Sequence, residues 1–354
     1  MSIGHFVDMN HYDTETWMDL IKLAQDIIQY PKEYEDRCKG RILVTLFYEP
    51  STRTKFSFQA AMLRLGGSVI GFDDPNNSSV SKGESLKDTI LMVCNYSDIA
   101  VIRHPLEGTA AAAAVYATKP IINAGDGGHL HPTQTLADIL TIYECKKKMT
   151  GLTIGICGDL KYGRTAHSLV MALSQFKGNR FVFISTEALA MPEYIIRLLE
   201  GDHIEYKNMA SLQEAIPFCD VIYMTRIQKE RFSDMNEYFS QKGLFILDTE
   251  KLQLARDDLL IMHPLPRADE ITEDVDYDKR AMYFKQAEFG MYMRMALILR
   301  MLENRPIIPQ RVHSDSNLRC TNVKCISNAE LYLPKLTNTN NSGAVRCGYC
   351  DSIL

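Results

Sequence analysis

From Val44 onward, short apolar runs alternate with helix-like segments in two successive series, a pattern that restricts the chain to parallel sheets with helices on both faces. In the first series, residues 41–48 read as a buried strand and 54–64 as the helix that follows; 68–72 and 99–103 continue as strands, with a helix beginning at Leu86. An alanine-rich helix is expected at 109–115, and residues 120–128 read as a strand running into a glycine-rich loop. The second series opens at 153–157 and predicts further strands at 181–184, 221–224, 244–247 and 259–262. Between the series, residues 132–147 have proline at the start, apolar Leu136, Ile139, Leu140 and Tyr143, and lysines in the last turn, which predicts a helix bridging two domains. Residues 290–302 read as a final helix returning to the first domain. The expected fold class is therefore α/β: two doubly wound parallel-sheet domains with the active site between them, beyond the C-terminal ends of the strands.

At 354 residues and 46% apolar content, the chain can build two such cores and an appendage. A net charge of −5 gives no global attraction to nucleic acid or anionic membranes, so any anion site must be local. No apolar stretch approaches a membrane span, and the first residues lack a basic region followed by an apolar one, so a cytoplasmic location is expected. Cys38, Cys94, Cys145, Cys157 and Cys219 are scattered and read as core thiols.

Polar clusters follow the predicted strands, where ligands bind in open α/β sheets. The first is Ser51-Thr52-Arg53-Thr54, which opens a helix. Free N–H groups, the positive end of the helix dipole, three hydroxyls and the Arg53 fork could together hold a phosphate. Taken alone, the same residues fit an ordinary helix cap equally well. The others are Arg103-His104-Pro105, residues 131–134, 158–164 and 225–231, and the carbonyl-bearing His263-Pro264-Leu265-Pro266-Arg267. They contain no nucleophile elbow and no glycosidase-like carboxylate pair, and residues 155–159 lack the G-x-G-x-x-G spacing of a dinucleotide site. The inventory favours anion clamping and carbonyl polarisation over covalent catalysis. A polar loop at 78–85 carries Lys82, which could swing over a phosphate.

After residues 306–309 the texture changes to a polar tail with two close cysteine pairs, Cys320 with Cys325 and Cys347 with Cys350. This spacing predicts a closed four-thiolate structural zinc site that carries most of the tail's folding energy. The tail is only mildly basic and shows no interleaved basic and aromatic residues, so no nucleic acid partner is expected.

Taken in order, residues 51–54, 81–84, 103–105, 131–138, 158–164 and 263–267 closely resemble the aspartate carbamoyltransferase catalytic chain over roughly residues 3–304. The resemblance implies carbamoyl transfer from carbamoyl phosphate to L-aspartate, the committed step of pyrimidine synthesis, without a catalytic cofactor. Ornithine carbamoyltransferases share the S-T-R-T-type loop but carry H-C-L-P where this chain has His263-Pro264-Leu265-Pro266; ornithine is the alternative acceptor. The implied roles are phosphate binding by Ser51, Thr52, Arg53 and Thr54, and oxyanion stabilisation by Thr54, Arg103 and His131. Gln134 would hold the carbamoyl amine. Arg164, Arg226 and Gln228 would grip the aspartate carboxylates, with carbonyls near Leu265 and Pro266 aiming the amine. Lys82, with Ser78 or Ser79, would reach a neighbouring subunit's site, which makes a homotrimer with shared sites the expected assembly. The implied domains are carbamoyl-phosphate-binding at 1–134, with 287–304 returning to it, aspartate-binding at 135–286, and zinc-binding at 306–354. The tail resembles the zinc domain of the aspartate carbamoyltransferase regulatory chain, where it docks on the catalytic chain. No room remains for that chain's nucleotide-binding domain, so no nucleotide feedback through it is expected.

Overall fold

Parallel pairing is what the two series of apolar runs produce. The computed structural model describes residues 3–9, 12–228, 232, 234–303, 307, 313–314, 317–339 and 344–354. Lys229, Glu230 and Arg231 of the fifth polar cluster, and Pro306, Ile308 and Pro309 of the linker, lie outside the described residues. One compact unit comprises Met1–Thr133 with Met291–Leu354, the other Gln134–Gly290.

In the first unit, β1 (Ile42–Phe47) lies between β2 (Ser68–Phe72) and β3 (Ile99–His104), and β3 carries β4 (Ile121–Asp126) on its far side, all parallel. β1 and β3 are buried along most of their length, which is why they read as continuous apolar runs. Helices α1 (Thr14–Gln29), α2 (Thr52–Arg64), α3 (Leu86–Tyr96) and α4 (Thr109–Tyr116) belong to this unit. The reading above did not include α1, although Trp17, Leu20, Ile21, Ala24 and Ile27 recur at helical spacing and are buried. Asp13 caps it by accepting the Thr16 N–H at 2.9 Å.

The second unit holds a parallel sheet in the order β7 (Tyr206–Met209), β6 (Arg180–Ile184), β5 (Thr153–Cys157), β8 (Val221–Met224), β9 (Leu260–Met262). Residues 244–247 do not form the expected strand: Leu247 makes an isolated bridge with Ile271, and Leu244 is exposed. The fifth strand is instead β7, an edge strand of mixed burial whose Tyr-Lys-Asn-Met sequence has no apolar run to mark it. Helix α5 (Pro132–Lys146) and the last long helix, Tyr283–Leu302, carry the chain between units; the latter begins well before residue 290. Among the described residues, no helix is long and apolar enough to cross a membrane.

Strand order reverses between β1 and β3 in the first sheet and between β5 and β8 in the second. At such switch points the connections leave in opposite directions and open a crevice at the carboxyl ends. Ser51 and Arg103 follow or end the first pair, and Gly158 and Thr225 follow the second.

The tail belongs to the first unit. β10 (Thr337–Thr339) pairs antiparallel with β11 (Val345–Cys347). Cys325, Ile326, Leu333, Cys347 and Tyr349 pack in one apolar cluster with Leu46, Ile90, Cys94 and Ala113. The tail thus shares the first unit's core, a source of stability beyond its metal site that the sequence does not display.

Candidate active site and metal centre

At the first switch point, Ser51 takes an extended N-cap conformation before α2, yet its hydroxyl caps no helix amide. The helix terminus therefore keeps donors for an external acceptor. Thr54 is buried at the first turn, while Thr52 and Arg53 are exposed. Burial and the neighbouring Arg103 charge hold the Arg53 guanidinium below its ordinary value, as two like charges facing one site should. Arg103, at the end of β3, is 9% exposed. Its Nη2 donates to Glu49 Oε1 at 3.1 Å and its Nη1 to the Ala124 carbonyl at 3.4 Å. The Arg103 Nε is buried with no hydrogen-bond partner. His131 Nε2 lies 3.4 Å from Arg103 Nη1. Because arginine only donates, this contact assigns Nε2 as the acceptor and Nδ1 as the protonated nitrogen. Arg294 donates to Ser57 Oγ at 3.0 Å and to the Thr133 carbonyl at 3.4 Å, tying α2 to the start of α5.

The loop of residues 78–85 lies apart from these contacts. Ser78 donates to the Pro75 carbonyl at 2.7 Å and accepts the Val80 N–H at 3.3 Å, whereas Ser79 is exposed. Lys82 is exposed and has no ion-pair partner among the described residues.

In the second unit, Asp159 organises the switch-point loops. Its carboxylate accepts the Tyr162 N–H at 2.9 Å and the Gln228 N–H at 3.3 Å, and its own N–H donates to Thr225 Oγ1 at 2.9 Å. Gly158 (φ 113°) lies so close to Thr225 that a Cβ would stand 2.4 Å from that carbonyl, so only glycine fits. Gln228 Nε2 donates to the Tyr162 carbonyl at 3.1 Å, and Arg164 opens the following helix, Arg164–Ser174. Arg226 lines a cavity with Gly158, Thr225, Phe245 and Glu270.

Leu265 and Pro266, joined by a cis bond, sit on a loop fixed from behind. His263 Nδ1 accepts the Leu265 N–H at 2.7 Å, so Nε2 carries the proton shared with Glu270 Oε1 at 2.6 Å. Glu270 Oε2 accepts the Ala268 and Asp269 N–H groups at 3.1 and 3.2 Å. Although burial works the other way, the His263 and backbone donors hold its carboxyl below the usual range. Gln286 Oε1 accepts the His263 N–H at 3.0 Å and its Nε2 donates to Asp138 Oδ1 at 2.6 Å. The same Oδ1 accepts Gln134 Nε2 at 2.8 Å, and Asp138 Oδ2 accepts the Tyr223 hydroxyl at 3.0 Å. The Gln134 amide N–H is thereby spent on Asp138, which leaves its carbonyl oxygen as an acceptor for an amine.

Glu49, Glu270 and Gln286 were missed as contributors to the site, and Asp138 was quoted only as part of a motif. Asp138 had a readable signal, four residues after Gln134 on one helix face. Gln286 had none, because Asp138 lies 148 residues away, and Glu270 meets His263 across a loop at a seven-residue separation that no strand or helix marks.

In the tail, Cys320 Sγ lies 3.5 Å from Cys350 Sγ and Cys325 Sγ 3.8 Å from Cys347 Sγ, with all four sulfurs within 4.8 Å of one another. Thiolates at about 2.3 Å from a tetrahedral zinc stand about 3.8 Å apart, so this set fits that ion. Asn328 Nδ2 donates to the Cys320 and Asn322 carbonyls at 3.0 and 2.8 Å, holding the first knuckle.

The carbamoyl-P binding domain of aspartate/ornithine carbamoyltransferases matches residues 4–144, and the Asp/Orn binding domain of the same proteins matches 150–301. The chain belongs to the aspartate/ornithine carbamoyltransferase family. The metal binding domain of the aspartate carbamoyltransferase regulatory chain matches residues 313–354. An aspartate carbamoyltransferase catalytic subunit from Clostridium botulinum is 56% identical over 299 residues, covering 84% of this chain and 97% of that one. The catalytic subunit of the M. jannaschii aspartate transcarbamoylase superposes with a TM-score of 0.80 at 45% identity, covering 85% of this chain and 98% of that one. The Trypanosoma cruzi aspartate transcarbamoylase in complex with carbamoyl phosphate and aspartate gives 0.80 at 37% identity, covering 84% and 96%. Within the family, this chain carries a regulatory-type metal domain behind a catalytic-type body.

Proposed function

We propose that the chain is an aspartate carbamoyltransferase, converting carbamoyl phosphate and L-aspartate to N-carbamoyl-L-aspartate and phosphate in pyrimidine biosynthesis. The observation that carries this reading is Arg103, a buried guanidinium with an unspent Nε–H beside a second guanidinium and a histidine at the first switch point. That cluster suits a phosphate joined to a carbonyl whose oxygen becomes negative. Ser51, Thr52, Arg53 and Thr54 bind the phosphate, and Thr54, Arg103 and His131 stabilise the oxyanion. The aspartate amine attacks the carbonyl carbon, the carbon–oxygen bond to phosphate breaks, and the departing phosphate takes the amine proton. Removal of one such oxyanion donor costs about 3–4 kcal/mol of transition-state binding in comparable sites. Gln134 accepts from the carbamoyl amine. Arg164, Arg226 and Gln228 hold the acceptor's carboxylates, with Leu265 and Pro266 offering carbonyls to its amine. The carboxylates nearby, Asp159 and Glu270, are occupied by backbone N–H groups and His263, which leaves arginine charge to select a dianionic acceptor over ornithine.

In this reading the enzyme is cytoplasmic and trimeric, and Lys82, with Ser78 or Ser79, serves a neighbour's site. The first unit takes carbamoyl phosphate, the second aspartate, and Cys320, Cys325, Cys347 and Cys350 hold a structural Zn²⁺. Bound there, zinc supplies folding energy and no reaction chemistry. The test is phosphate release from carbamoyl phosphate with aspartate or ornithine. Turnover with aspartate alone is expected; turnover with ornithine alone overturns the acceptor assignment.

A further inference from the structure

The tail reaches the segment that carries His131. His129, two residues before it, has Nδ1 3.2 Å from Asp126 Oδ2 and Nε2 3.1 Å from Asp351 Oδ2. Its side chain is 14% exposed. Asp351 directly follows the metal-site residue Cys350, and its N–H donates to the Cys347 carbonyl at 3.1 Å. A second bridge runs in parallel. Glu107 Oε1 accepts the Gly128 N–H at 3.2 Å, and Glu107 Oε2 accepts Asn322 Nδ2 from the first cysteine knuckle. The Glu107 backbone is locked to the same knuckle, donating to the Lys324 carbonyl and accepting the Ile326 N–H, both at 2.9 Å. The two bridges thus grasp residues 128 and 129, each from one of the cysteine knuckles.

We infer that Asp351 and Glu107 are positioning residues for the reaction, through which the metal-organised tail fixes residues 127–131 and so the placement of His131 against Arg103. The inference rests on the carbamoyltransferase reading and on a metal-bearing tail. Because binding couplings are reciprocal, a ligand that requires the ordered segment must also tighten the tail's hold on its metal.

The experiment uses the full chain loaded with zinc and follows metal release to a chromogenic chelator, with and without saturating N-(phosphonacetyl)-L-aspartate. In the unaltered protein the ligand should slow release about fivefold or more. In Asp351→Gly this protection should vanish; Asp351 sits at φ 58°, where glycine is at ease, so the carboxylate is lost without backbone strain. His129→Asn, which leaves the tail's own residues intact, should behave alike and decides the matter should Asp351→Gly hold less than one zinc per chain. Val323→Ala, at a residue 86% exposed on the first knuckle, should keep full protection. Equal protection in His129→Asn and the unaltered protein, or none in the latter, overturns the inference. Calorimetric titration with the ligand and a zinc count separate the failures. A chain that binds both but shows no coupling removes this inference alone, whereas a chain that fails to bind the ligand or the zinc overturns the functional reading as well.

Discussion

Asp138→Ala is the sharpest perturbation of the second unit. Asp138 is fully buried and accepts from Gln134, Gln286 and Tyr223. Truncation takes from the Tyr223 hydroxyl and the Gln286 amide, 0% and 1% exposed, the carboxylate to which each donates. Each such loss costs about 1–3 kcal/mol, and relief from burying a carboxylate offsets part of the sum, so a net loss of about 3 kcal/mol is expected. Asp138→Asn should cost only about 1 kcal/mol, because its oxygen can still serve both glutamines while the Tyr223 hydroxyl turns to accept from the new amide. Activity should fall in Asp138→Ala, where Gln134 loses the acceptor of its amide, and hold in Asp138→Asn, where that acceptor remains. The KM for aspartate should rise in Asp138→Ala, where Gln286 is also released from behind the His263 loop. The single tryptophan, Trp17, is buried in the first unit, so the urea midpoint that its fluorescence reports should barely shift from that of the unaltered protein. Hydrogen exchange in peptides covering 153–157 and 221–224 should accelerate. A variant with unchanged exchange in those strands, or one as stable as Asp138→Asn, would refute the accounting.

Further outcomes follow from the same geometry. Arg53→Ala should lower kcat/KM about 100-fold or more while leaving thermal stability unchanged or higher, since it removes a charge facing Arg103; a fall in melting temperature with activity intact would contradict this. His5 and His104 are both lowered by burial, from 6.5 to about 4. In that window the unfolded chain binds more protons than the folded one, so stability is full above it and falls as pH drops. Each histidine contributes up to about 1.4 kcal/mol per pH unit, measurable by denaturant midpoints across the range; His104→Gln should flatten the slope. Cys325→Ser should lower the bound metal and speed hydrogen exchange in α3 and α4, whose apolar faces share a cluster with the tail. Mixing inactive Lys82→Ala and Arg53→Ala chains should restore some activity after subunit exchange; none despite proven exchange would argue against shared sites.

What was legible in the sequence follows from where each residue's partner lies. The strands at 42–47, 99–104 and 153–157 were readable because burial on both faces forces a continuous apolar run. β7 was not, because an edge strand of mixed burial needs no such run. Residues 244–247 misled for the opposite reason: Phe245 and Leu247 are buried in the core, but as side chains of a turn-bounded segment rather than of a ladder. Apolar runs report burial, and only pairing makes a strand.

The same distinction separates the visible from the hidden half of the site. Residues such as Arg53 and Arg103 announce themselves as polar groups where a buried strand ends. Their electrostatic meaning required the fold, since nothing in the sequence says that Arg53 and Arg103 would face each other with one guanidinium nitrogen unspent. The supporting carboxylates are less visible still. Glu49, Glu270 and Asp351 look like ordinary surface acids in a chain of net charge −5. Each is nevertheless held against a specific cation or imidazole: Arg103, His263 and His129. The His263–Glu270 pair closes across one loop, but the Arg103–Glu49 pair spans 54 residues and the His129–Asp351 pair 222, nearly two-thirds of the chain. A metal domain appended after the last helix would look dispensable by sequence alone. Its last knuckle, however, ends on the imidazole two residues before His131, so the tail bears on the placement of a residue assigned to the oxyanion.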